Sequence, residues 1–156
     1  RRQRQMCKET AQVHFIKLRL FDTKGKEVAN TFYWRSNDKY KGRKTLTGPT
    51  SSGFEDLSKL KQVQLKTRYQ TYQEGDRHFI KAEIKNPSST VAFFTQLQLL
   101  GQDKKPVRPS FYTDNFFSLL PGESKTVIIE TAASDMPSEP TFVVKGWNIK
   151  PSSFKL

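Results

Sequence analysis

A chain of 156 residues with 35% hydrophobic and 12% aromatic content can bury one core, since a domain of this size removes roughly 70% of its unfolded surface from water. The single cysteine, Cys7, excludes an intrachain disulfide and any Cys-rich zinc site, and no run approaches the ~20 apolar residues that span a bilayer as a helix. The formal charge of +12 leaves polyanion binding open and says nothing about fold.

Arg1-Arg2-Gln3-Arg4-Gln5 has no apolar stretch behind it and does not read as a signal peptide, so residues 1–10 are expected to be a polar linker or an expression remnant. From Ile16 onward the hydrophobic period is two. Ile16, Leu18 and Leu20 alternate with Lys17 and Arg19, the pattern of a half-buried antiparallel strand, and Asp22-Thr23-Lys24-Gly25 supplies a turn. Asn30-Thr31-Phe32-Tyr33-Trp34 is a second strand, on which the neighbours Tyr33 and Trp34 face opposite sides. Residues 46–60 break the period: Thr-Gly-Pro-Thr-Ser-Ser-Gly marks a loop, and residues 54–60 have the i, i+3 spacing of one or two helical turns.

Strands resume with Val63 and Leu65 about Gln64, then Ile80, Ala82 and Ile84 about Lys81 and Glu83, then Leu97 and Leu99 about Gln98. Glu74-Gly75-Asp76, Asn86-Pro87-Ser88-Ser89 and Gly101-Gln102-Asp103 are the turns between them. Phe111 to Val127 reads strand, turn, strand. Pro121 presets φ near −65° and Gly122 supplies the positive φ of a type II turn, and the β-branched run Thr126-Val127-Ile128-Ile129 follows. Residues 150–156 read as a tail. Short strands separated by such turns, with twelve Phe, five Tyr and two Trp to fill a core, predict an all-β antiparallel sandwich of about seven to nine strands over residues 11–149.

The charges are dispersed over the polar alternates of these strands, dense only at Arg1, Arg2 and Arg4 and at Lys39, Lys41, Arg43 and Lys44. With no helix-turn-helix, zinc finger or RNP-type motif, specific nucleic-acid binding is not expected; a polyanion-binding adaptor stays as an alternative. Glu74, Glu83, Glu123, Glu130 and Glu139 fall in predicted turns, strands and loops that would not hold two carboxylates around a sugar ring. Isolated His14 and His78 read as surface or hydrogen-bonded residues; neither a metal nor another cofactor is expected. Adjacent Asp114 and Asn115 read as an Asx-type turn that caps local backbone N–H groups. Tyr33, Trp34, Tyr112 and Trp147 are the candidates for a sugar-stacking platform, against which stands the core's own need for rings.

Tyr112-Thr113-Asp114-Asn115-Phe116-Phe117 with Leu120-Pro121-Gly122-Glu123 resembles a segment of the C-terminal immunoglobulin-like (Ig-like) domain of family 2 glycoside hydrolases of the exo-β-glucosaminidase and β-mannosidase kind. Residues 15–22, Lys24-Gly25-Lys26 and 30–34 are similar to the opening strand, hairpin and Asn-Phe-Tyr-Trp strand of the same domain, here with Thr31 inserted after the Asn. The resemblance implies an Ig-like accessory domain, inert by itself, whose partners are other domains of a larger glycosidase and, through it, a glycan. It implies a structural role for Asp114, Asn115, Pro121 and Gly122, and a periplasmic or secreted parent. A carbohydrate-binding module acting through exposed aromatics is the rival reading.

Overall fold

The computed structural model describes residues 2–8, 13–36 and 55–156, and every described strand is antiparallel to its neighbours. The basic cluster at Lys39, Lys41, Arg43 and Lys44 and the loop before Phe54 lie outside the described residues. The chain forms two compact units, Arg1–Lys61 and Gln62–Leu156.

The first unit holds a three-stranded sheet in the order β1 (Arg2–Lys8), β2 (Val13–Phe21), β3 (Glu27–Ser36). Where polarity alone suggests a linker, Arg2–Lys8 pairs with β2 from Arg2↔Leu20 to Lys8↔His14. A ladder needs only backbone groups, so an edge strand leaves little trace in composition. The β2–β3 turn is closed by Asp22, whose Oδ1 accepts from the Lys24 and Lys26 N–H groups at 2.9 Å each, while Gly25 takes φ +81°. A 3₁₀ turn over Glu55–Lys59 buries Leu57, and Leu60 just after it, at the helical spacing of the sequence.

The second unit is a sandwich of two four-stranded sheets. One has the order β4 (Lys66–Glu74), β5 (Arg77–Lys85), β9 (Ser124–Ala132), β7 (Phe111–Tyr112). The other runs β11 (Ile149–Lys155), β10 (Thr141–Gly146), β6 (Ala92–Leu100), β8 (Phe117–Leu119). Period-two alternation becomes burial here: Ile80, Ala82 and Ile84 of β5, Leu97 and Leu99 of β6, Val127 and Ile129 of β9, and Phe142 and Val144 of β10 form the core. This is the expected Ig-like β-sandwich, built from eight strands within the second unit.

Two local readings change. Ile149–Lys155 is a strand rather than a tail, paired with β10 from Thr141↔Lys155 to Gly146↔Ile149. Its Lys, Pro and Ser residues suit a strand at a sheet edge; Ile149 is buried in the core, and Phe154 packs against that core by stacking on Phe142 with centroids 4.8 Å apart. Val63, expected within a strand, makes an isolated parallel bridge to Ile149, and the strand starts at Lys66.

Candidate functional site

The motif-bearing segment passes from one sheet to the other. Tyr112 ends β7, Thr113 to Phe116 make the crossing, and β8 begins at Phe117 in the opposite sheet. Thr113 still holds β9, its N–H donating to the Ile128 carbonyl and its Oγ1 accepting from the Ile128 N–H, both at 3.0 Å.

Asn115 then does the work of a strand neighbour with its side chain alone. Its Oδ1 accepts from the Leu97 N–H at 2.8 Å and its Nδ2 donates to the Leu97 carbonyl at 2.9 Å, reproducing one rung of a ladder on β6. A side-chain amide sets donor and acceptor side by side on one planar group, as a peptide rung requires. Asp114 accepts from the Asn115 N–H at 2.7 Å and pairs with Lys125, whose ammonium also lies 5.1 Å from the centroid of the Phe117 ring.

The Pro121-Gly122 turn closes on the Glu123 N–H donating to the Leu120 carbonyl at 3.0 Å, with φ +79° at Gly122. Open space surrounds the position of a Cβ there, so the demand on glycine is conformational and not steric. Gly122→Val should therefore cost about 1–3 kcal/mol through backbone strain alone, read as a lowered unfolding midpoint in denaturant. An unchanged midpoint would refute the turn assignment.

Two further asparagines complete this scaffold, and the motif reading did not single out Asn148 or give Asn86 a buried role. Asn86 is fully buried: its Nδ2 donates to the Thr90 and Leu119 carbonyls at 2.8 and 3.0 Å, and its Oδ1 accepts from the Ser88 N–H at 3.1 Å. Asn148 accepts from the Phe93 N–H and donates to the Val91 carbonyl, both at 2.8 Å. The Asn86-Pro87 dipeptide carries a turn signal; nothing about Asn148 in sequence distinguishes it from an exposed turn residue.

The four aromatic candidates occupy different surroundings. Tyr33 and Trp34 belong to the first unit, 50% and 42% exposed and on opposite faces of β3. In the second unit Tyr112 packs against the core, its hydroxyl accepting from the Leu99 N–H at 3.0 Å, and burial holds that phenol above the ordinary tyrosine range. Trp147 sits in the turn between β10 and β11 and is 58% exposed. Within the second unit, then, one ring is committed to packing and the other to the surface. Among the described residues no three His, Cys, Asp or Glu side chains cluster as metal ligands, and no helix is long and apolar enough to cross a membrane.

Residues 45–149 match the family model described as the exo-β-D-glucosaminidase Ig-fold domain. An exo-β-D-glucosaminidase of Streptomyces avermitilis is 31% identical over 145 residues, covering 86% of this chain and 16% of that protein. One from Amycolatopsis orientalis is 29% identical over 140 residues, covering 83% of this chain and 14% of its own length. In three dimensions the exo-chitosanase CsxA of Amycolatopsis orientalis superposes with a TM-score of 0.78 at 25% identity, across 94% of this chain and 18% of that one.

Proposed function

Because the chain belongs to the family of exo-β-D-glucosaminidase Ig-fold domains, we propose that it is a non-catalytic accessory domain of a larger family 2 glycoside hydrolase, packed against that enzyme's other domains. The observation that carries this reading is the coverage: a match across most of this chain accounts for only 16% and 14% of the two curated relatives. A retaining glycosidase of the barrel type needs about 250 residues to set two carboxylates about 5 Å apart, and an Ig-like sandwich leaves no room for that.

Of the two parent activities that the motifs leave open, the names of the relatives favour exo-β-glucosaminidase over β-mannosidase. Asp114, Asn115, Pro121 and Gly122 serve the fold: each lies in the crossing or in the turn that follows it. In this reading the family domain is the sandwich with the residues leading into it from position 45, and β1–β3 belong to the segment that precedes it in sequence.

The purified chain should release no nitrophenol from nitrophenyl β-glucosaminide or β-mannoside, whereas the full-length polypeptide that carries it should release glucosamine from a β-linked oligomer. Turnover by the chain itself that vanishes in Glu130→Gln would overturn the accessory role. An inactive full-length polypeptide would overturn the parent assignment.

A further inference from the structure

The outward face of an antiparallel sandwich sheet is ordinarily polar. On the β4-β5-β9-β7 sheet one cross-strand row departs from that rule. Tyr72, Phe79, Glu130 and Phe111 lie in register across all four strands, on the opposite side from the core residues Ile80, Val127 and Ile129. Tyr72 and Phe79 stack with centroids 5.0 Å apart and an interplanar angle of 12°, and Tyr72 and Phe111 remain 37% and 56% exposed. Arg77 meets the one carboxylate of the row, its guanidinium 3.1 Å from Glu130. Toward one end of the same face Lys66, Arg68, Lys81 and Lys85 surround the single acid Glu83.

Aromatic rings at the centre and charges at the rim are the anatomy of a protein–protein interface. We infer that this row is the surface by which the sandwich docks onto another domain of its own polypeptide, one that offers an apolar patch edged with carboxylates. The inference rests on the parent-enzyme reading above. The excess of cations at the rim calls for an acidic partner. In relatives of which this chain covers 14–16%, most of the polypeptide is tethered to the domain and so present at high effective concentration. A glycan is less suited to the row, because Tyr72 and Phe79 already cover one face of each other.

Hydroxyl-radical footprinting, read by mass spectrometry, compares the 156-residue chain with the full-length polypeptide. Tyr72, Phe79 and Phe111 should label readily in the chain and much more slowly in the full-length protein. The double variant Tyr72→Glu/Phe111→Glu should weaken docking about 30-fold or more, the scale of losing a central aromatic anchor, and return Phe79 to the labelling rate of the free chain. The same double variant should leave the 156-residue chain folded with a melting temperature only a few degrees lower, since neither ring is in its core and the losses are one cross-strand stack and a carboxylate set opposite Glu130. An active glycosidase in which the three residues label as fast as in the chain overturns the docking surface alone. Slowed labelling in a polypeptide without glycosidase activity overturns the parent assignment alone. Self-association of the chain, or saturable chitosan-oligomer binding, that the double variant abolishes would name a different occupant and overturn the inference.

Discussion

Phe142→Ala should destabilise the sandwich by about 3–5 kcal/mol, the range for truncating a fully buried aromatic side chain. Phe142 has no exposed surface and lies between two rings of the same unit, stacked on Phe154 and met edge-on by Tyr69 at 5.2 Å. Removing it strips contacts from both and leaves a void bordered by β4, β10 and β11. Tyr69 would lose more than packing, because its hydroxyl donates to the Lys155 carbonyl at 2.8 Å and helps to hold β11 in place. A loss of this size is a large part of the ~5–15 kcal/mol total of a domain, so the denaturation midpoint should fall well below that of the unaltered chain. Equilibrium denaturation followed by tryptophan fluorescence measures it. A loss under about 1 kcal/mol would mean that the β10–β11 side of the core is not packed as described.

Asn148→Ala is the second large effect, expected at about 2–4 kcal/mol, because it removes two buried hydrogen bonds to the backbone at once. This amide, 1% exposed, accepts from the Phe93 N–H and donates to the Val91 carbonyl. Asn30 on β3 is the control: it is exposed, and its Nδ2 donates to Glu27 Oε1 on the surface, so Asn30→Ala should change stability by less than about 0.5 kcal/mol. Equal effects at the two sites would show that the Asn148 amide is replaceable by water. Together the two variants separate asparagine as a ladder substitute from asparagine as a surface residue.

The interior strands β2, β5, β6 and β9 were legible in the sequence because one face of each is buried and the other is wet. Ile80, Ala82 and Ile84 announce both their strand and their orientation, and the turns at Gly75 and Pro121-Gly122 fall where positive φ is required. The edge strands β1, β4 and β11 were not legible. β4 and β11 have solvent on one face and along one edge, so their polar residues carry no alternation strong enough to tell a strand from a loop. Val63 and Leu65 mark burial, but their backbone joins the sheet at one point only. The aromatic content was assigned mainly to the core, yet Tyr72, Phe79 and Phe111 occupy outward positions, which became visible only when the register of four strands was known. Buried polar groups were the other blind spot, since an amide completing a ladder and an amide in water are the same letter.

The open margin of β11 bears on how molecules of this protein meet one another. Its first residues are capped: the Val63 N–H donates to the Asn148 carbonyl at 2.7 Å, and the Lys150 N–H donates to the Val63 carbonyl at 2.9 Å. Pro151 follows with no N–H to give, Gln64 reaches over to Ser152 Oγ at 2.9 Å, and Lys155 places a charge near the far end. A foreign strand laid along this margin would find its first partners taken, one donor missing and a cation to desolvate. Growth of the sheet from molecule to molecule, the usual route from a sandwich to a fibril, is thus obstructed at successive positions along this strand.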